Sequence, residues 1–244
     1  MSFGNPSLLE QIRARVTKTL KDGIQLNMST EQSKKFLKRH VGTKTNLVIM
    51  LIDINNSTQM SLSLSDFKFS LMVRTFAQEV SIAVSGYGGY VFKYEGDAVI
   101  VLFPAESDIL KACKNALNCS RAILEIIRMA INPLFRENEL PEITVRTGLA
   151  YGSALVVLYG KSLDGAHIDI TGSSISLASK IASFAKPNQV LVGEHIYNIL
   201  VTSTDQRYFD KNRFVEVSLD PVKWKYLSHS DPDSLYRVYE YLGN

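Results

Sequence analysis

Two aspartates stand where strands of a predicted sheet end. Asp53 directly follows the apolar run LVIMLI at residues 47–52, which has the length of a buried strand. Asp97 lies just past the tip of a predicted hairpin, YVFKYEGDAVIVLF, at residues 90–103. A strand and a hairpin that are separated by one helix are neighbours in a β-α-β-β unit, so both carboxylates can face one point. Two converging carboxylates are typical of a site for a hard cation, and Mg²⁺ suits it.

The segment after the first aspartate is rich in hydrogen-bond donors. The candidate nucleotide-binding residues of this segment are Ile54, Asn55, Asn56, Ser57 and Thr58. Amide and hydroxyl groups beside a cation site are suited to phosphate oxygens, and Mg²⁺ held by one or two carboxylates keeps open positions for them. The alternative is structural: Asp53 ends a turn, and Ser57 or Thr58 caps a helix.

From residue 46 onward the pattern alternates between strand and helix. A helix is predicted from Asp66 to the GYGG run at residues 86–89, and the hairpin follows it. The later predicted elements are a helix over 107–130, a strand pair at 143–145 and 149–158, a helix over 175–184 and a strand at 189–192. The order β-α-β-β-α-β predicts an α+β fold, a ferredoxin-like sandwich whose sheet is open to ligand on one side.

The first forty residues have a different pattern. Apolar residues recur at three- and four-residue steps over residues 9–20, which predicts an amphipathic helix. The segment STEQ at 29–32 resembles a capping box that opens a second short helix over 34–40. We therefore predict an N-terminal helical extension over residues 1–42 and a main domain over residues 43–244. Such helices usually pack on their own domain; a dimerising or partner-binding arm is the alternative.

Composition argues against some function classes. The chain has 27 basic and 24 acidic residues, and this near-balance predicts no strong attraction to nucleic acid. It has no apolar run of membrane-spanning length and no apolar signal core, so we expect neither a membrane span nor a secretory signal. Cys113 and Cys119 form no metal or redox motif, which predicts reduced thiols in or near the core and a cytoplasmic location.

Four ordered motifs between about residues 46 and 200 resemble the catalytic domains of class III nucleotidyl cyclases, the adenylyl and guanylyl cyclases. That family carries a strand ending in Asp-Ile, a Lys-x-x-Gly-Asp hairpin, an Arg-x-Gly-x-x-x-Gly strand and an Asp-x-x-Gly helix start. The similar segments here are LVIMLIDINNST, VFKYEGDAV, VRTGLAYGSALVV and HIDITGSSISLASKIASFAKPNQVLVGE. Four motifs in this order are far more specific than any single motif.

The resemblance implies both a reaction and an assembly. It implies two Mg²⁺ or Mn²⁺ ions on Asp53 and Asp97, and a head-to-tail homodimer that binds nucleotide at the subunit interface. It also implies that residues 43–244 cyclise a nucleoside triphosphate to its 3′,5′-cyclic monophosphate with release of pyrophosphate. Because phosphoryl transfer depends mainly on positioning and charge stabilisation, the lack of an obvious general base is no objection.

Two residues are implied in base recognition. In adenylyl members the hairpin lysine and the aspartate before the second helix contact adenine, and Lys93 and Asp169 stand at those places. Guanylyl members tend to carry Glu and Cys there. A lysine donates to a ring nitrogen and an aspartate accepts from an exocyclic amine, so ATP is favoured. The alternative for Asp169 is a helix N-cap three residues early.

Two positions depart from the family pattern. The alignment places Ser176 and Lys180 where the family has an Asn that orients the ribose and an Arg that stabilises the transition state. Lysine keeps the charge but lacks the guanidinium fork, and serine reaches less far than asparagine. Ser176 and Lys180 nevertheless lie in one polar stripe with Ser173 and Ser183, and they are the candidate catalytic residues.

Three interpretations of the function remain open. The first is an active adenylyl cyclase in which Ser176 and Lys180 replace the usual Asn and Arg. The second is a cyclase for another base, including the pyrimidine cyclases of bacterial antiphage defence, which are similar in the Asp-Ile-x-x-Ser segment. The third is a non-enzymatic cyclase-like module that dimerises or senses nucleotide. Because a degenerate domain has no chemical need to keep both metal aspartates, the enzyme interpretations rank first.

Overall fold

An eight-stranded sheet organises the part of the chain that the computed structural model describes, which is residues 6–24, 28–163, 165–203, 211–228, 231 and 233–243. The strands are β1 (Lys44–Ile54), β2 (Tyr90–Glu95), β3 (Ala98–Pro104), β4 (Val145–Tyr159), β5 (His167–Thr171), β6 (Val190–Gly193), β7 (Phe214–Glu216) and β8 (Val238–Tyr241). Their order is β2-β3-β1-β4-β6-β8-β7, and β5 pairs with the end of β4.

Helices cover both faces of the sheet. They are α1 (Pro6–Asp22), α2 (Glu31–Lys38), α3 (Ser57–Ser63), α4 (Asp66–Gly86), α5 (Ile109–Ile126), α6 (Asn132–Glu137), α7 (Ser173–Phe184) and α8 (Glu194–Val201). A π-helical turn, Ile127–Ile131, joins α5 to α6. No helix within these described ranges has the length and apolar character needed to cross a bilayer.

The predicted ferredoxin-like core is confirmed. The core strands have the order β2-β3-β1-β4. Strand β1 lies between β3 and β4 and is antiparallel to both. The connections β1-α4-β2 and β3-α5-β4 each return to the sheet through a helix. Asp53 is at the end of β1, directly opposite Ala98 on β3 and Arg146 on β4.

Alternation along β1 divides the apolar side chains between two clusters. Val48, Met50 and Ile52 belong to a cluster that includes residues of α1, α4 and α5. Leu47 and Ile49 belong to the other, with residues of α2, α7 and the C-terminal segment. Successive side chains of a strand point to opposite faces, so Asp53 lies on the α7 face.

The predicted N-terminal helices are confirmed, and they pack on opposite faces of the sheet. Arg15 of α1 binds Glu79 of α4, with Nε to Oε1 at 2.9 Å, and the Glu79 side chain is 1% exposed. Because an unpaired buried carboxylate is costly, this pair stabilises the docking of α1. Phe36 and Leu37 of α2 are buried in the cluster on the other face. The boundary between residues 42 and 43 stays a prediction.

Several local expectations need correction. The predicted strand pair at 143–145 and 149–158 is one continuous strand, β4, because Gly148 does not break it. The predicted capping box is absent: Thr30 makes no side-chain cap bond, and the Ser29 hydroxyl accepts from the backbone N–H of Glu31. The helix predicted over 107–130 starts two residues later, where Asp108 caps it, and becomes π-helical after Ile126.

The two cysteines are buried, as the sequence predicts. Burial and the nearby charge of Asp108 raise the pKa of the Cys113 thiol to about 12, and burial also raises the pKa of Cys119. A thiol with a raised pKa is a poor nucleophile near neutral pH, so both side chains act as core residues.

Candidate active site

The first predicted site residues, Asp53 and Asp97, meet at the edge of the sheet. Asp53 lies opposite Ala98, and Asp97 is the turn residue just before Ala98. Burial, followed by the hydrogen bond and the charge of Asp97, raises the pKa of Asp53 to about 6, and Arg146 opposes this shift. A hydrogen bond between the Asp53 and Asp97 side chains requires the two carboxyl groups to be close, as the topology predicted.

This pair fits a divalent cation. One oxygen of Asp97, Oδ2, is buried and has no hydrogen-bond partner among the described residues. A cation between the carboxylates would satisfy this oxygen and favour the charged form of both groups. Carboxylate oxygens are also the ligands that Mg²⁺ prefers, and the ion uses only one or two of them. The described residues contain no cluster of three or more His, Cys, Asp or Glu side chains placed for a metal.

Arg146 is a candidate site residue that the sequence did not predict. Its guanidinium donates from Nη2 to Oδ2 of Asp53, and its Nε is buried without a hydrogen-bond partner in the described part of the chain. The fork of a guanidinium matches phosphate oxygens, so Arg146 is a candidate phosphate-binding group beside the carboxylates. The signal was available in the Arg-x-Gly motif, since strand register places Arg146 opposite Asp53.

The donor-rich segment connects this edge to helix α4. Ile54 is the last residue of β1, and the N–H of Asn55 donates to the carbonyl of Thr144 at 2.8 Å. Asn56 has a left-handed φ of 58°, and Ser57 and Thr58 begin the short helix α3. Their position beside Asp53 agrees with the predicted nucleotide-binding role, which stays a prediction.

Lys93 and Asp169 form an ion pair, with Nζ 2.5 Å from Oδ2. A β-bulge between Val91 and Lys93 places Lys93 opposite Ile100, whose side chain belongs to the α7-face cluster. Asp169 lies within β5, so the alternative of a helix N-cap is wrong for this residue. Two residues predicted to recognise one base are therefore in direct contact.

Ser176 and Lys180 lie on the exposed side of α7 and line a cavity of about 470 Å³ with Leu51, Glu95 and Tyr226. Lys180 also has its Nζ 5.3 Å from the centre of the Phe184 ring. Ser183 lines the same cavity, so three members of the predicted polar stripe face one space. Leu51 is two residues before Asp53 on the same face of β1, which connects this cavity with the carboxylate edge.

Comparison with known proteins identifies the family. Residues 40–226 match the adenylate and guanylate cyclase catalytic domain. The chain belongs to this family. The resemblance that the four motifs indicate is thereby confirmed, and the matched segment contains every site residue named above.

Two curated relatives are cytidylate cyclases. The protein from Staphylococcus aureus is 28% identical over 155 residues, which cover 62% of this chain and 36% of the relative. The protein from Escherichia coli is 26% identical over 178 residues, which cover 69% of this chain and 38% of the relative. The match thus spans little more than a third of these relatives' length.

Solved cyclase structures share the fold. The adenylyl cyclase CyaB from P. aeruginosa superimposes with a TM-score of 0.66 at 18% identity, over 83% of this chain and 96% of CyaB. The guanylate cyclase domain of RhGC from Catenaria anguillulae, solved with GTP, gives 0.61 at 19% identity, over 82% of this chain and 97% of that domain. At these identities the likeness concerns the fold alone.

Proposed function

We propose that this chain is a nucleotidyl cyclase that converts a nucleoside triphosphate, ATP or CTP, to its 3′,5′-cyclic monophosphate and pyrophosphate. Both bases present an amine donor beside an accepting ring nitrogen at the Watson–Crick edge. The observation that carries the proposal is the convergence of Asp53, Asp97 and Arg146 at one edge of the sheet, with Lys93 bound to Asp169 elsewhere on the same domain. A reaction on a triphosphate needs these two kinds of group, one for phosphate and one for the base.

At the phosphate end, Asp53 and Asp97 are the groups that would hold Mg²⁺ or Mn²⁺, and Arg146 would bind phosphate oxygens. The metal ions supply an acidified 3′-hydroxyl and charge stabilisation of the departing pyrophosphate. The chain contributes position and charge, which are the main requirements of phosphoryl transfer. We assign Ser176 to the ribose and Lys180 to the charge that develops on the α-phosphate.

At the base end, Lys93 and Asp169 select by polarity. Adenine and cytosine both present an amine donor beside a ring nitrogen that accepts, so Asp169 accepts from the amine and Lys93 donates to the nitrogen. Guanine and uracil present the reverse order at that edge, a carbonyl acceptor beside a ring N–H donor. The pair therefore favours ATP and CTP together over GTP and UTP.

A separate observation favours CTP within this class. The two relatives from S. aureus and E. coli are named cytidylate cyclases. The sequence alone favoured ATP. The polarity of Lys93 and Asp169 suits either base, so the choice between them depends on base size and on a direct assay.

The test is to incubate the purified chain separately with ATP, CTP, GTP and UTP, with Mg²⁺ or Mn²⁺, and to identify products by mass spectrometry. We expect cyclic AMP or cyclic CMP to form at least about tenfold faster than cyclic GMP or cyclic UMP. A base whose donors and acceptors do not match the protein's lowers the rate by about that factor or more. Dominant GTP or UTP turnover would refute the base assignment, and no cyclic product from any nucleotide would refute the enzyme proposal.

A double variant tests the base-reading pair directly. Lys93→Glu with Asp169→Cys changes both polarities at once and removes both members of the 2.5 Å pair together. We expect the ratio of GTP to ATP or CTP turnover to rise by about tenfold or more. The ratio should stay at the wild-type value in the control Lys111→Gln, since Lys111 lies in the first turn of α5. A constant ratio in the double variant, with both rates measurable, would show that other residues read the base.

A further inference from the structure

His167 contacts the base-reading aspartate. It is two residues before Asp169 on β5, and residues two apart on a strand share a face. The intervening Ile168 and the following Ile170 are buried on the opposite face. The alternation of His-Ile-Asp-Ile thus brings the imidazole to the carboxylate, with Nε2 3.3 Å from Oδ2.

The carboxylate of Asp169 has three donors around it. Oδ1 accepts from the N–H of Ile170 at 2.8 Å, and Oδ2 accepts from Lys93 and from His167. Burial raises the pKa of Asp169, but the bonds from Lys93, Ile170 and His167 outweigh it, so the pKa is lowered below its usual value. An ionised carboxylate offers about four lone-pair positions, so one remains open on Oδ1 for a base amine.

Recognition of a base changes this arrangement. To donate to the ring nitrogen, Lys93 must turn one of its three N–H donors toward the base, so its ammonium group is then shared between the base and Oδ2 of Asp169. His167 on Oδ2 and the N–H of Ile170 on Oδ1 are the two donors that do not have to move when the base binds. Without the imidazole, Oδ2 would be held by Lys93 alone and would shift with it as Lys93 moves toward the base.

We propose that His167 is a positioning residue for base selection: its Nε2–H holds Asp169 in place while Lys93 engages the ring nitrogen of adenine or cytosine. This inference rests on the proposed function and names a determinant of specificity within that site. His167 acts through Asp169 rather than on the reacting atoms.

The surroundings of His167 agree with this role and argue against a purely structural one. The side chain is 62% exposed, so its removal leaves little cavity in the core. The Tyr159 ring lies opposite on β4 with its centre 6.0 Å from the imidazole, which limits the ring orientations. The other side opens to a cavity of about 360 Å³ lined by Lys93 and by Glu31 and Lys34 of α2.

The experiment compares His167→Ala, His167→Gln and the control Thr171→Ala in the full chain. Thr171 is exposed and is the other neighbour of Asp169 on the same face of β5, but the bonds to the Asp169 carboxylate come from Lys93, His167 and Ile170, so its change tests the strand without removing one of them. We expect His167→Ala to raise KM for the preferred nucleotide by about threefold to tenfold, the net worth of one typical hydrogen bond, with kcat nearly unchanged. The preference for ATP or CTP over GTP should fall by a similar factor.

The glutamine variant separates hydrogen bonding from packing. Its amide can donate to Asp169 as Nε2–H does, so His167→Gln should regain most of the lost preference. If His167→Ala keeps the wild-type KM and preference, or if His167→Gln is as impaired as His167→Ala, the inference is wrong.

A binding measurement keeps this inference distinct from the proposed catalysis. Calorimetric titration with the α,β-methylene analogues of ATP, CTP and GTP needs no turnover, because these analogues cannot release pyrophosphate. Weaker and less selective binding to His167→Ala than to Thr171→Ala supports the positioning role even if no cyclic product forms. Equal binding to both variants overturns the role even if the wild-type chain is an active cyclase.

Discussion

Asp53 lies between opposing charges, Asp97 and Arg146, at the proposed phosphate end of the site. Burial and the neighbouring Asp97 disfavour its ionised form, whereas Arg146 favours it. Without a cation the edge therefore holds two carboxylates near one another, with one buried oxygen of Asp97 unsatisfied among the described residues. A divalent cation removes the repulsion and satisfies that oxygen, so we expect metal binding to stabilise the folded chain.

The first residue-scale prediction concerns Asp53→Asn and Asp97→Asn. Each change removes one anionic metal ligand while keeping the side-chain shape, so cyclase activity should fall by more than about 100-fold. The melting temperature of the wild-type chain should rise with added Mn²⁺ or Mg²⁺, and this rise should shrink or disappear in both variants. Activity assays and thermal melts at several metal concentrations check both expectations.

Asp66→Asn is the matched control for this pair. Asp66 is an exposed aspartate in the first turn of α4 and lies outside the carboxylate edge. It should retain both activity and the metal-dependent rise in melting temperature. A metal response that persists in Asp53→Asn and Asp97→Asn would place the cation elsewhere.

Single residues also show how far the sequence could predict the site. Asp53 and Asp97 were predictable because both adjoin clearly apolar strands: Asp53 lies near the end of β1, and Asp97 directly precedes β3. Lys93 and Asp169 were predictable because two of the family motifs contain them. Arg146 and His167 were missed as site residues. Their roles depend on which residues face each other across strands, and register is a tertiary property that local pattern does not give.

At the scale of elements, the contact between β4 and α7 holds the predicted polar stripe of Ser176, Lys180 and Ser183 in place. Gly148 on β4 faces α7 so closely that an added Cβ would lie 2.5 Å from the carbonyl oxygen of Ala178 and even nearer the nitrogen of Ala182. A glycine inside a strand permits this approach of helix and sheet backbones. The position of Ser176 and Lys180 above the sheet follows from it.

Gly148→Ala should therefore displace α7. We expect a loss of about 1–3 kcal/mol in the free energy of unfolding, typical of overpacking, although alanine otherwise suits a strand better than glycine. A fall in kcat should accompany it, because Ser176 and Lys180 move with the helix. Urea unfolding and steady-state kinetics provide the two measurements.

Gly152→Ala is a graded control on the same face of β4. An added Cβ at this position would lie 3.0 Å from the Cβ of Ser174, a contact that a small shift of the helix start can relieve. Its effects on stability and kcat should be clearly smaller than those of Gly148→Ala. Equal effects of the two changes would mean that close backbone packing at Gly148 does not position α7.

Element length explains which parts of the fold the sequence predicted. The long helix α4 and strands β1 and β3 each contain enough apolar residues to show a clear pattern, and the prediction located them within a few residues. Strands β7 and β8 have only three and four residues and were missed, as was the five-residue β5, whereas the equally short β6 lies where a strand was predicted, at 189–192. Short strands form because a neighbouring strand offers hydrogen bonds, which is information from distant residues.

At the scale of the whole molecule, the question is whether one chain completes a site. Lys93 and Asp97 are at most about 13 Å apart along an extended chain, while a nucleotide holds its base and its triphosphate at opposite ends. Equivalent hairpins of two protomers supply both ends more easily than one hairpin does. We therefore propose a homodimer with two equivalent sites around a twofold axis.

The structure of the single chain also allows the opposite arrangement. Lys180 and Leu51 line one cavity, and Leu51 is two residues from Asp53 on the same face of β1. A site within one chain would pair Lys180 with the Asp53 of its own protomer, whereas a shared site would pair it with the Asp53 of the second copy. The two arrangements predict different outcomes when two inactive variants are mixed.

The mixing experiment uses Asp53→Ala chains, which lack a metal ligand, and Lys180→Ala chains, which lack the proposed transition-state cation. In a heterodimer with shared sites, one site carries both changes and the other is intact. Random exchange of equal amounts makes half of the dimers mixed, so about one quarter of wild-type activity should return. Tagged chains verify the exchange, and each variant alone should be inactive. If exchange is complete and both parents are inactive, yet the mixture stays inactive, then each site belongs to one chain or Lys180 acts elsewhere.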